Sequence, residues 1–151
     1  MINKFAPKIF NQGFLKRNMF SFFTAKEAND ALPDVIKKFE YSLAKKNDIK
    51  KIEKELQLTV STTNSFEKYM ELKQKLNTAI TKFYQSVEIL ESTGVMIKSI
   101  DQGLLDFPSK RFDEEVCLCW KHGETEIKFW HDKDSGFMGR KPIEVNDESL
   151  V

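Results

Sequence analysis

Apolar residues recur every three or four positions through the first half of the chain, a spacing typical of amphipathic helices. Thr24 and Glu27 form a capping box, which predicts a helix starting at Ala25. Pro33 follows about two turns later and predicts a kink there, or a short first helix that restarts. The apolar positions beyond it are Val35, Ile36, Phe39, Leu43, Ile49, Ile52 and Leu56.

A second helix is predicted after the polar segment TVSTTNS, with Asn64 and Glu67 as its capping box and Gly94 as its C-terminal cap. Its seam has heptad spacing with one polar position and comprises Phe66, Tyr69, Lys73, Leu76, Ile80, Phe83, Val87 and Leu90. A short loop folds two long helices antiparallel, so residues 24–93 are predicted to form a coiled-coil-like helical hairpin.

Two helices alone leave much of this aromatic seam uncovered. A second copy can cover it by forming a four-helix bundle, so we expect a homodimer through the hairpin. The alternative is that the stripe is ordinary core, covered by the rest of the same chain.

After Gly94 the pattern changes to alternation, which is typical of strands. A short strand, a turn at residues 101–103 and an extended piece closed by Pro108 are predicted, and residues 109–115 form a charged connection. A turn at residues 122–123 then predicts a β-hairpin. In it, Lys121 opposes Glu124, Trp120 opposes Thr125, Leu118 opposes Ile127 and Val116 opposes Phe129, while Cys117, Cys119 and Trp130 share the other face. The predicted fold class is α+β: the long antiparallel helical hairpin followed by a small antiparallel sheet over residues 95–143.

Chain length and net charge limit the number of domains and the kinds of partner that the sequence suggests. The chain has 151 residues, which suits a single domain over 19–151, and 24 basic residues balance 23 acidic ones. This balance favours neither nucleic acid nor a membrane surface as partner, and no apolar run is long enough to span a bilayer. Residues 1–18 are basic and are expected to be a disordered tail, with Met19 a plausible true start. The two cysteines and the lack of a secretory leader predict free thiols in the cytoplasm.

Past Phe129 the alternation ends and chemical groups crowd into one loop, namely His131, Asp132, Asp134, Gly136, Gly139 and Arg140. The two glycines can let backbone amides approach an anion, with Arg140 as its counter-charge. Alternatively the loop is a tight turn in which Arg140 pairs with Asp132 or Asp106. His131, Asp132 and Asp134 are candidate ligands for a divalent metal. A zinc site through the two thiols is disfavoured, because four ligands are needed and only His131 is near in sequence.

Three segments, FFTAKEANDALPDV, GVMIKSIDQGLLDFP and VCLCWKHGETEIKFWHDKDSGFMGRKPI, resemble the uncharacterised domain-of-unknown-function family numbered 2203 over residues 22–143. The resemblance implies an architecture and a shared surface rather than an activity. It singles out Asp101, Gly103, Asp106, Phe107, Cys119, Trp120, Gly123, Glu124, Trp130, His131, Gly136, Phe137, Gly139 and Arg140.

The leading hypothesis is a non-catalytic interaction or assembly module that engages a protein or a small anionic ligand through the hairpin and the loop at 130–140. The candidate binding residues are His131, Arg140, Asp106, Glu124, Trp130, Asp132 and Asp134. The alternative is a small metal-dependent or general-base hydrolase that uses His131 and nearby carboxylates. It requires His131 and at least two of the carboxylates to converge within one pocket.

Overall fold

Residues 22–144 are described by a computed structural model, which contains two long helices followed by an antiparallel sheet. The α+β fold class predicted from the sequence is thereby confirmed. These residues form two compact units, one made of residues 22–36 and 91–144 and the other of residues 37–90. The predicted basic tail, residues 1–18, and the domain boundary at residue 19 lie outside the described residues.

The first helix, α1 (Ala25–Thr62), begins at the predicted capping box. The Glu27 amide donates to Thr24 Oγ1 at 3.0 Å, and the Thr24 amide donates to Glu27 Oε1 at 3.3 Å. Of the two alternatives predicted at Pro33, a kink or a restart, the restart does not occur, because α1 continues through this residue. Its buried stripe keeps three-and-four spacing over Ala28, Leu32, Val35, Phe39 and Ser42.

The second helix, α2 (Phe66–Glu91), packs with α1. Ser65 caps it instead of Asn64, since Ser65 Oγ accepts from the Lys68 amide at 3.2 Å. The buried stripe also differs from the predicted seam. It consists of Leu72, Ala79, Ser86 and Leu90, whereas Phe66 is 74% exposed. The buried positions 79 and 86 carry small residues, whereas the seam residues Leu76, Ile80, Phe83 and Val87 are only half-buried.

The sheet has five strands in sequential order, all pairing antiparallel: β1 (Met96–Ser99), β2 (Leu104–Arg111), β3 (Glu114–Lys121), β4 (Phe129–Asp132) and β5 (Lys141–Pro142). A short 3-10 turn, Phe137–Gly139, precedes β5. The turn predicted before β2 is present. Gly103 has φ +68, and a Cβ there would lie 2.4 Å from that of His122, so only glycine fits.

Residues 109–115 are not a connection, as the charge pattern suggested, but the ends of β2 and β3 with a two-residue turn between them. Pro108 therefore lies within β2, opposite Cys117. The turn residues Phe112 and Asp113 have φ angles of 50° and 65°, the left-handed values that two-residue hairpins require.

The predicted pairing of β3 with the following strand is wrong by three residues. Val116 pairs with Asp132 and Leu118 with Trp130, where the sequence pattern had suggested Phe129 and Ile127. An odd shift moves every side chain to the other face of a strand. Trp130 therefore joins Leu118 on the face that carries Phe107 and Trp120, and His131 joins the cysteines.

Asn29 of α1 accounts for this longer connection. Its Oδ1 accepts from the Ile127 amide at 2.7 Å, and its Nδ2 lies 3.5 Å from the Ile127 carbonyl. These contacts supply backbone partners that β3 would otherwise have to provide. Ile127, which is buried, can therefore lie outside the sheet with its backbone amide paired.

Candidate functional site

Four polar or reactive side chains cluster on one face of the sheet, on three adjacent strands. Asp106 of β2 lies opposite Cys119 of β3, and Cys117, two residues before Cys119, lies opposite His131 of β4. Cross-strand partners share a face, so the register brings all four together. Each is at most 2% exposed.

His131 forms two ring hydrogen bonds that define where its protons lie. Nδ1 is 2.8 Å from the Asp132 carbonyl oxygen, and Nε2 is 3.0 Å from Asp106 Oδ1. A carbonyl oxygen only accepts, so Nδ1 carries a proton and donates it. One further proton lies between Nε2 and Oδ1. The pair is therefore either an imidazolium with a carboxylate or a neutral imidazole with a carboxylic acid.

The second oxygen of Asp106, Oδ2, is buried and accepts no hydrogen bond. Lys98 Nζ lies 3.9 Å away, beyond hydrogen-bonding distance, and the Lys98 side chain is half exposed. A buried carboxylate oxygen without a partner is unfavourable, so its presence in a native structure calls for an explanation.

The two thiols are held in their protonated form. Burial, reinforced by the nearby negative charge of Asp106, raises the pKa of Cys117 from 9.0 to about 11 and the pKa of Cys119 to about 12. Reactive cysteines need a lowered pKa and access to solvent. Neither thiol is therefore an effective nucleophile in the protein as described.

A second polar cluster surrounds Glu124, which directly follows the turn at residues 122–123 after β3. Its Oε1 accepts from Arg140 Nη2 at 2.6 Å, its Oε2 accepts from the Lys121 amide at 3.0 Å, and its carbonyl accepts from the Trp120 indole at 2.8 Å. The Arg140 guanidinium also lies 3.8 Å from the ring centroid of Phe129 and 4.7 Å from that of Phe137. Glu124 thus fastens the loop after β4 to the end of β3.

The structure separates the predicted site residues into these clusters. His131 meets Asp106, and Arg140 meets Glu124 in place of either aspartate expected from the sequence. The remaining three lie elsewhere: Trp130 is on the opposite face of the sheet, Asp132 pairs with Lys141 at 3.1 Å through an exposed carboxylate, and Asp134 is exposed.

Of the carboxylates proposed to accompany His131, only that of Asp106 hydrogen-bonds to its ring among residues 22–144. The sequence disfavours a metal site through the two thiols, yet Cys117 lies in the cluster with His131. A correct register for β4 would have placed Cys117 directly opposite His131 and revealed the association.

The fold and the site define an α+β protein with a helical hairpin and a buried Asp, Cys and His cluster on its sheet. A family model described as an uncharacterized conserved protein (DUF2203) matches residues 21–143, and the chain belongs to this family. No curated protein and no solved structure shows significant similarity to the chain. Within residues 22–144, no helix has both the length and the apolar character needed to cross a bilayer.

Proposed function

We propose that this protein is a non-catalytic assembly module that forms a homodimer through its helical hairpin. One observation carries the proposal: the buried positions of α2 are Leu72, Ala79, Ser86 and Leu90, while other bulky apolar residues of the helix are left half-buried. We call Leu76, Ile80, Phe83 and Val87 the apolar strip. They lie four, three and four positions apart and so share one side of α2.

A second copy is the occupant that fits this strip best. With 26 residues, α2 is about 39 Å long. Two such helices side by side, each about 10 Å wide, present a face of about 800 Å² on each copy. This equals the surface area that each partner typically buries in a stable complex. Paired hairpins would form a four-helix bundle, with each strip covered by the same strip of the partner around a twofold axis.

Catalysis has less support than assembly. A general base has to reach the proton it removes, and His131 is 1% exposed. Arg140 is paired with Glu124 and stacked on two aromatic rings, so its positive charge is already compensated. Anion binding by the loop at 130–140 therefore has less support. Protonated, buried thiols suit a reducing compartment, so the proposal keeps the cytoplasm as the location, which cell fractionation tests.

Light scattering coupled to size-exclusion chromatography tests the dimer over a range of concentrations. We expect wild type to have twice the chain mass and Ile80→Lys to shift to the monomer with unchanged helical circular dichroism. The matched control is Ile89→Lys, because Ile89 is an exposed apolar residue on the opposite side of α2. A monomeric wild type at every concentration, or equal loss of the dimer in both variants, would overturn the proposal.

A further inference from the structure

We propose that Asp106, Cys117 and His131 form a binding site for a zinc ion within the sheet, independent of any self-association. One donor atom of each residue lies within 4.8 Å of the others, and all three residues are buried. Nitrogen, sulfur and oxygen donors in one set suit Zn²⁺, which accepts all three and favours a tetrahedral arrangement.

Asp106 Oδ2, which accepts no hydrogen bond, points to a missing ligand independently of the distances. Asp106 Oδ2 is buried and accepts no hydrogen bond, so a cation at this position would supply the interaction that the carboxylate lacks. Lys98 does not replace it, since its ammonium is 3.9 Å away on a half-exposed side chain.

His131 is oriented as a metal-binding histidine has to be. Its Nδ1 donates to the Asp132 carbonyl, which fixes the ring and directs Nε2 toward Asp106. Histidine ligands commonly donate their second ring N–H to a carbonyl or a carboxylate in this way. Asp132 therefore acts through its main chain, whereas the sequence had suggested its carboxylate as a ligand.

The charges and protons balance when zinc binds. The Cys117 thiol loses its proton to become a thiolate, and the proton between His131 Nε2 and Asp106 Oδ1 leaves as Nε2 turns to the metal that Asp106 Oδ2 contacts. About two protons are therefore released for each Zn²⁺ bound, which leaves the net charge of the buried site unchanged. Donor atoms around tetrahedral zinc lie about 3.5 Å apart, so a separation of up to 4.8 Å has to shorten by about 1.3 Å at most.

Cobalt and zinc titrations of EDTA-treated protein test the site. We expect one Zn²⁺ per chain by mass spectrometry, a rise in Tm, and calorimetric release of about two protons when buffers of different ionisation enthalpy are compared. Co²⁺ should give tetrahedral visible bands together with a thiolate charge-transfer band in the near ultraviolet.

Cys119→Ser is the matched control for Cys117→Ser, because both residues are buried thiols on the same face of β3. We expect Cys117→Ser to lose the charge-transfer band and the Tm rise, and Cys119→Ser to keep both. The absence of stoichiometric metal in wild type would overturn the proposal. So would bound Co²⁺ without a thiolate band, a result that does not depend on whether a variant folds, or equal losses in both variants.

Discussion

The proton shared by Asp106 and His131 predicts that folding needs the polarity of Asp106 but not its charge. Asp106→Asn keeps the shape, and its amide N–H donates to Nε2 of a neutral His131 while Nδ1 still donates to the Asp132 carbonyl. Asp106→Leu keeps the branched shape but leaves Nε2 buried without a partner. The two variants thus separate hydrogen bonding from side-chain shape.

The structure sets the expected size of each effect. A buried polar atom that loses its partner costs about 1–3 kcal/mol. The contact of Asp106 with Lys98 adds little, because it spans 3.9 Å and the ammonium is half exposed. Asparagine also replaces the unpartnered carboxylate oxygen by a neutral one, whose burial costs less. We expect a loss of about 2 kcal/mol in the free energy of unfolding for Asp106→Leu and less than about 1 kcal/mol for Asp106→Asn.

Urea unfolding in EDTA, followed by tryptophan fluorescence, measures both values. Trp120 and Trp130 belong to the same compact unit as the pair, so the signal reports the unit in which the substitution lies. If Asp106→Asn destabilised the protein as much as Asp106→Leu, a full ion pair would be required, and the reasoning from a shared proton would be refuted.

Three further predictions concern the thiols, the loop and the turns. The pKa of Cys119 is raised from 9.0 to about 12, so above about pH 9 the unfolded chain ionises first and stability falls by about 1.4 kcal/mol per pH unit. Cys119→Ala should remove that part of the slope in metal-free protein, and equal slopes in the two proteins would contradict it. Arg140→Ala should lower the free energy of unfolding in urea by about 1–2 kcal/mol, because the ion pair and ring contacts of Arg140 are part-buried. Lys141→Ala, which removes an exposed ion pair, should lower it by less than about 0.5 kcal/mol. Similar losses in the two variants would argue against a stabilising role for the Arg140–Glu124 pair. Gly103→Ala should lower Tm more than Gly123→Ala, because both have positive φ but a Cβ clashes only at Gly103, and the reverse order would contradict this.

Short-range signals predicted the helical half and several turns. The capping box at Thr24 and the glycine turn before β2 depend on residues within a few positions of each other, so the sequence contains the whole signal. The α2 seam was less predictable. Hydrophobicity selected the bulky residues, whereas the buried stripe includes the small residues Ala79 and Ser86.

The candidate site could not be assembled from the sequence, because its geometry depends on the register of β4. Asn29 holds the chain just before β4 through Ile127, which is 98 positions away in sequence. The turn at Phe112 and Asp113 also lacks the Asn-Gly pair that marks such hairpins, so the sequence predicts a charged connection where β2 and β3 end. A three-residue error was enough to separate His131 from Cys117.

The division of the chain into two compact units has a consequence for how the protein folds. Residues 37–90 interrupt a unit made of residues 22–36 and 91–144, so that unit must join segments far apart in sequence. Each doubling of a flexible loop adds about 0.6 kcal/mol to the cost of closing it. The hairpin is built from local contacts, and antiparallel helices bring their own two ends together. If the hairpin forms first, Asn29 and Ile127 meet across a short tether instead of a long random coil, and the sheet register is set last.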